Sequence, residues 1–280
     1  MITIRQRRVM FGTLKYSVLS VLALVTVGIP LWLIVVNSFK PLEEAIRLNL
    51  ALPQTWAIAE NYRTVFEEGN YLLGLKNSIL LVVPSVLLIV LLSGAAAWVF
   101  GRDSRRSTNV LYFLLISGVL IPPAIVTTIV TLRNLGIGGT HVGAIAFYVG
   151  TSSAFAIFLV TGFVRTIPRE IEEAARIDGA GPLATYMRVV LPLLVPIMAT
   201  TATIMLLLIW NDFFYPIFLL PGAEQQTLTL GLSRFVSIGK YQVSWNLVFA
   251  DVVAVSLPLF VVFLVAQKRI VSGLTGGVLK

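Results

Sequence analysis

The sequence predicts an all-α membrane protein with six transmembrane helices. Three observations lead there. The 280 residues are 57% hydrophobic and only 12% charged, against about 25% charge in an ordinary soluble domain. Apolarity on that scale makes lipid the solvent, and in lipid only helices or closed barrels satisfy every backbone N–H and C=O. The apolar runs are long and unbroken, without the two-residue alternation of a barrel strand.

A hydrocarbon core takes about 20 apolar residues per helix. Six stretches reach that length, approximately 16–36, 78–100, 110–132, 142–164, 193–220 and 247–266. Arg5, Arg7, Arg8 and Lys15 precede the first. Its apolar part is too long for a secretory h-region and no small-residue cleavage site follows, so it reads as a retained helix. The connection 37–77 carries Pro41, Pro53, Trp56, Tyr62 and Tyr71 among scattered charges, which predicts short interfacial or re-entrant helices. Pro30, Pro84, Pro122-Pro123, Pro216 and Pro258 punctuate the spans, as hinges or pathway markers or as simple packing kinks. Gly94-Ala95-Ala96-Ala97 and Ser152, Ser153, Ala154 and Ala156 allow close helix approach.

Basic residues set the orientation. Fourteen of the 21 Lys and Arg residues fall in the N-terminus, the 102–106 loop, the 165–188 loop and the tail. Both termini are therefore expected on the cytoplasmic side. The same rule accounts for the net charge of +8 without nucleic acid. The expected organisation is a cytoplasmic N-terminus (1–15), a six-helix transmembrane domain (16–266) containing a charged loop (165–192), and a cytoplasmic tail (267–280).

That loop, between the fourth and fifth spans, is the longest charged segment between very apolar ones. Pro168 is suited to open a helix. Glu170, Glu172 and Glu173 fall in its first turn, facing the positive end of the dipole. Gly179 can take positive φ and end it. A second short helix is expected from Gly181-Pro182 to Pro192. Ala174, Ile177 and Ala180 are spaced to form a small apolar face that enters a groove on another protein; on local chemistry alone, a solvated surface helix is equally compatible.

Glu173-Ala174-Ala175, three residues, Gly179, nine residues, Val189, one residue, Leu191-Pro192 resembles the EAA signature of ABC importer permeases, with valine where the signature has isoleucine. Asp178 fits the sugar-permease wording A-x-x-D-G-A. Trp210-Asn211-Asp212-Phe213, Asn37-Ser38-Phe39-Lys40 and the tail Lys268 to Val278 resemble segments of carbohydrate permeases of the maltose and glycerol-phosphate type. The likeness covers nearly the whole chain and is to a MalG-like subunit with six spans. It implies a type I importer permease in a bacterial inner membrane, whose loop is a coupling helix docking on an ATP-binding subunit through Glu173, Ala174, Ala175, Ile177, Asp178 and Gly179. It further implies a second permease subunit, two ATP-binding subunits, an extracytoplasmic solute-binding protein and a carbohydrate substrate.

Asp212 and Asp251 lie in or beside apolar stretches, where charge faces the bundle interior or water. Trp210, Asn211, Asp212 and Tyr215 offer an aromatic face with amide and carboxylate acceptors, which suits a sugar. They are candidates for the translocation path; the other reading is that Asn and Asp bond across helices to hold the bundle. Asp251 has Arg234, Lys240 or a subunit neighbour as candidate partners, and its expected role is structural.

No Walker A pattern G-x-x-x-x-G-K-[ST] occurs, so ATP and Mg are expected on partner subunits and no cofactor in this chain. Cysteine is absent and His141 is the single histidine, which excludes disulfides and multi-histidine metal sites. The resulting expectation is a non-enzymatic permease subunit for a carbohydrate. The alternatives are a solute such as glycerol phosphate, or an ion-coupled secondary transporter using Asp212 and Asp251.

Overall fold

The computed structural model describes residues 15–237 and 243–275. The N-terminal arginines, Lys240 and residues 276–280 of the expected tail lie outside the described residues. The described elements are α1 (Lys15–Ser38), α2 (Leu42–Ala45), α3 (Ile58–Glu67), α4 (Tyr71–Arg102), α5 (Arg106–Ser117), α6 (Ile125–Asn134), α7 (His141–Val164), α8 (Glu170–Ile177), α9 (Pro182–Trp210), α10 (Phe214–Leu219), α11 (Leu228–Ser237) and α12 (Trp245–Thr275). Among the described residues five helices, α1, α4, α7, α9 and α12, are long and apolar enough to cross a membrane.

The third expected span, 110–132, is not one helix. It is the pair α5 and α6, broken over residues 118–124 at Pro122-Pro123. Each proline lacks a donor, and each disfavours helical conformation in the residue before it. The fifth span also differs. It stops at Trp210 rather than 220, and Pro216 sits in the separate α10. At its start the short helix expected over 181–192 is not separate, because Pro182 to Trp210 is continuously helical. His141 is the first residue of α7, and α12 runs on through the start of the expected tail to Thr275.

Proline geometry explains two local distortions. A helical proline clashes with the carbonyl four residues back. Before Pro30 and Pro192 that carbonyl belongs to Thr26 and Arg188, and each lies inside a widened π turn, Leu24–Gly28 or Tyr186–Val190. Pro258 frees the Ala254 carbonyl within α12, and the Tyr71 hydroxyl donates to it at 2.9 Å. A neighbouring segment thus satisfies the broken backbone, as lipid surroundings require.

The chain divides into two compact units. The first comprises Met1–Tyr71 and Gly231–Pro258. In it α1 buries side chains only at its far end, at Val36, Asn37 and Ser38. The 37–77 connection contains α2 and α3, the short helices expected there. Asn61 on α3 is buried; its Nδ2 donates to the Ser38 and Lys40 carbonyls, each at 2.9 Å, and its Oδ1 accepts from Asn246 at 2.7 Å. Lys40 is fully buried, with Nζ donating to Asn37 Oδ1 (3.0 Å), Asn49 Oδ1 (2.8 Å) and the Asn49 carbonyl (3.0 Å). Burial lowers its pKa from the ordinary lysine value, and the nearby Glu44 carboxylate works against that shift. The Asn37-Ser38-Phe39-Lys40 motif is therefore a polar knot that fixes how the chain leaves α1. Asp251 is buried with Oδ2 unpartnered among the described residues, while Arg234 donates to the Glu68 carbonyl at 3.3 Å.

The second unit comprises Leu72–Leu230 and Leu259–Lys280. Its core packs α4, α7 and α9 through Ala97, Val160, Val164, Val190, Leu194 and Met198. Lipid tails are as apolar as the side chains, so close packing of small residues takes over the role that hydrophobicity has in water. Gly101 shows this: a Cβ there would lie 2.5 Å from Val164 Cγ1. Gly94 makes the close approach expected of its Gly-Ala-Ala-Ala run, with Tyr186 Oη 3.1 Å and Met198 Cε 3.2 Å from where a Cβ would stand. At the other end of α4, Asn77 Nδ2 donates to the Glu224 and Gln226 carbonyls, and Ser78 Oγ accepts from the Leu228 amide.

Candidate functional site: a displayed helix and an aspartate junction

Within the second unit α8 is held on one face and bare on the other. At 3.6 residues per turn, Glu172 lies about 140° from Ile177 and about 200° from Ala174. Glu172 is buried on the inner face. Its Oε1 accepts from Arg102 Nε at 2.7 Å and its Oε2 from Trp98 Nε1 at 3.0 Å. Arg102 also donates to the Ile167 carbonyl at 2.9 Å, and Trp98 packs on Tyr186 with ring centroids 5.4 Å apart. The last turns of α4 therefore grip α8 by its first turn. On the outer face Glu173 and Ala174 are exposed and Ile177 is 86% exposed, with Ala175 half-buried. Leu183 and Met187, at the start of α9, are exposed too.

The spacing from Ala175 to Gly179 has a geometric cause. Asp178 caps α8, and Gly179 takes φ +83°. The Gly179 amide donates to the Arg176 carbonyl and the Ala180 amide to the Ala175 carbonyl, both at 3.0 Å. These two bonds form the Schellman ending, whose left-handed residue is best served by glycine. A Cβ on Gly179 would meet nothing within 4 Å. The requirement is conformational, not steric. Gly181, extended, then lets Pro182 start α9. Pro168, expected to open α8, stands one residue before its N-cap Arg169.

Trp210, Asn211, Asp212 and Tyr215 form the junction between α9 and α10. Asp212 Oδ1 accepts from the amides of Phe214 (2.9 Å) and Tyr215 (3.2 Å), closing the first turn of α10. Its Oδ2 accepts from the Tyr148 hydroxyl of α7 at 2.8 Å, and its carbonyl accepts from Thr229 Oγ1 at 3.2 Å. Asn211 Nδ2 donates back to the Leu207 carbonyl, Trp210 is buried, and Tyr215 rests on Phe147 at 4.7 Å between centroids. Both Asp212 carboxylate oxygens are thus engaged within the bundle.

Sequence reasoning missed Arg102, Trp98 and Tyr148. The helical wheel of α8 held one usable signal, since it sets Glu172 opposite the Ala174 and Ile177 face. Nothing in the sequence pairs Tyr148 with Asp212, because 64 residues separate them. Among the described residues no cluster of His, Cys, Asp or Glu is able to hold a metal ion.

Comparison with known proteins agrees with this architecture. Residues 70–276 match the family described as binding-protein-dependent transport system inner membrane component. The chain is 30% identical to the diacetylchitobiose uptake system permease protein NgcG of Streptomyces coelicolor over 95% of its own length and 88% of that protein. It is 36% identical to the melibiose/raffinose/stachyose import permease protein MelC of Bacillus subtilis over 79% of this chain and 80% of that one. Its fold is that of a chain in the crystal structure of a bacterial ABC transporter involved in the import of the acidic polysaccharide alginate, with TM-score 0.81, 22% identity and coverage of 96% and 98%. The protein belongs to the binding-protein-dependent transport system inner membrane component family.

Proposed function

We propose that this chain is a carbohydrate permease driven from outside itself, with work entering through α8. One observation carries the reading: α8 presents Ile177 to solvent while its opposite face is bonded to α4 through Glu172 and Arg102. A partner that pushes on the bare face moves α4 with it, and α9 follows through the short Gly179–Gly181 link. Glu173, Ala174, Ala175, Ile177, Asp178 and Gly179 form the docking surface. The partners are two ATP-binding subunits, which hold ATP and Mg, a second permease, and an extracytoplasmic binding protein that delivers the sugar. The relatives' names, uptake of diacetylchitobiose and import of melibiose, raffinose and stachyose, support the substrate class. The distribution of basic residues supports cytoplasmic termini.

Reconstitution tests this directly. Proteoliposomes holding the assembled complex, with ATP on the ATPase side and the binding protein opposite, are expected to accumulate sugar. Proteoliposomes holding this chain alone are expected to carry none along a proton or sodium gradient. Uptake by the chain alone would establish ion coupling instead.

The Asp212 junction gives a second expectation. Tyr148→Phe removes a hydrogen bond to a carboxylate, a loss of about 1.5–3 kcal/mol. The melting temperature of the detergent-purified complex should fall while the KM for sugar stays unchanged. A raised KM with unchanged melting would make the junction part of the path.

A further inference from the structure

The break between α5 and α6 leaves backbone that lipid cannot accept. Residues 118–123 lie outside any helix, and none of their six carbonyl oxygens accepts a hydrogen bond from a described group. The twelve residues of α5 rise about 18 Å, which sets the break near the middle of a hydrocarbon core of about 30 Å. Unpaired carbonyls at that depth are tolerated only where they meet protein or a water-filled space.

Such a space adjoins them. Gly118, Val119, Pro122 and Pro123 line a cleft of about 630 Å³, whose opposite wall is the middle of α7. That volume suits a small ligand. The α7 wall carries three successive hydroxyls. Thr151 and Ser153 donate to the Phe147 and Val149 carbonyls, which leaves their oxygens as acceptors. Ser152 has no such bond within the described residues, which leaves its hydroxyl available both to donate and to accept. Among the described residues no Asp, Glu, Lys, Arg or His lines the cleft.

We infer that this cleft is the surface along which the transported carbohydrate moves, and that it selects uncharged sugars. The inference rests on the carbohydrate reading above and goes further, naming the wall and the charge class. A neutral sugar brings O–H donors for the Thr151, Ser152 and Ser153 oxygens and the unpaired carbonyls, and apolar C–H faces for the larger, apolar part of the wall, which includes Pro122, Pro123 and Phe155. An anionic sugar brings a carboxylate or phosphate that needs donors or a cation. Here it meets the negative ends of carbonyl dipoles, with its water removed and no compensating charge. The alternative solute of phosphorylated type is disfavoured on the same ground.

Two variants test this in the assembled complex. A Cβ on Gly150 meets nothing within 4 Å, so Gly150→Leu places its side chain in the cleft without disturbing helix packing. It should assemble normally, keep basal ATP hydrolysis, and lose uptake by roughly tenfold or more. The chain has no cysteine, so Ser152→Cys introduces its single thiol. A positively charged methanethiosulfonate should label it in the detergent-solubilised complex. The probes are raffinose, melibiose and diacetylchitobiose, with trigalacturonate as the anion. Whichever neutral probe the wild-type complex takes up should slow labelling, and trigalacturonate should not. Wild-type uptake combined with no labelling, with labelling that no neutral probe slows, with equal protection by trigalacturonate, or with full uptake by Gly150→Leu would overturn the cleft assignment alone. Failure of the wild type to take up any of these sugars would overturn the carbohydrate reading and this one with it.

Discussion

Gly179→Pro is expected to abolish ATP-driven uptake while leaving the chain inserted in the membrane. Two independent losses combine there. Proline fixes φ near −65°, whereas Gly179 stands at +83°. Proline also lacks the amide that bonds the Arg176 carbonyl. The Schellman ending is then lost, and the end of α8 is re-aimed relative to the start of α9. The apolar spans do not depend on this turn, so insertion should persist. Gly179→Ala separates conformation from bulk. Its Cβ touches nothing, and only the left-handed strain of about 1–2 kcal/mol is added. Partial uptake is therefore expected from Gly179→Ala and none from Gly179→Pro, read in proteoliposomes with equal amounts of inserted chain. Normal uptake by the proline variant would show that the turn does not transmit work.

Glu172→Ala should be the most destabilising single change on α8. It leaves the Arg102 guanidinium, whose side chain is 14% exposed, with only the Ile167 carbonyl, and it strands the Trp98 indole N–H. Removing one partner of a buried pair costs about 3–5 kcal/mol, because the other charge stays buried. Glu173→Ala, one residue on, removes an exposed carboxylate and should change stability by no more than about 0.5 kcal/mol. The melting temperature of the detergent-purified complex checks both. Glu172→Ala should also release ATP hydrolysis from transport, since α8 then moves without α4. Equal melting temperatures for the two variants would remove Glu172 as the anchor.

The contrast between those two glutamates shows what the sequence made legible. Chain-wide apolarity, the presence of α8 and the glycine that ends it follow from local chemistry, and all are visible in a linear string. So is the acidic first turn of α8. The break in the third span is harder to read. Val119 to Ile121 are apolar enough to continue a span, and only the proline pair signals the interruption. The end of the fifth span at Trp210 was hidden in the same way, because Phe213 to Leu220 are apolar and hydropathy does not register the turn that Asp212 closes. The functions of Asp212 and Lys40 depended on partners distant in sequence or in loops without periodicity. Asp212 suits both a sugar path and a brace within the bundle, and its bond to Tyr148, 64 residues away, leaves no periodic mark in the sequence. The cleft at the α5–α6 break leaves still less trace, since the polar groups of that wall are main-chain carbonyls, which every sequence has, and the Thr151-Ser152-Ser153 run facing them reads equally as small packing residues.

The measurement that bears most directly on how this protein is driven is a cross-link from Ile177→Cys in the native complex. Ile177 is 86% exposed at the centre of the bare face of α8. A short thiol-to-amine cross-linker at that position should join the chain to a nucleotide-hydrolysing subunit, with a yield that changes when ATP is bound. If the complex imports sugar and Ile177→Cys cross-links to no ATP-binding protein in any nucleotide state, work does not enter through α8.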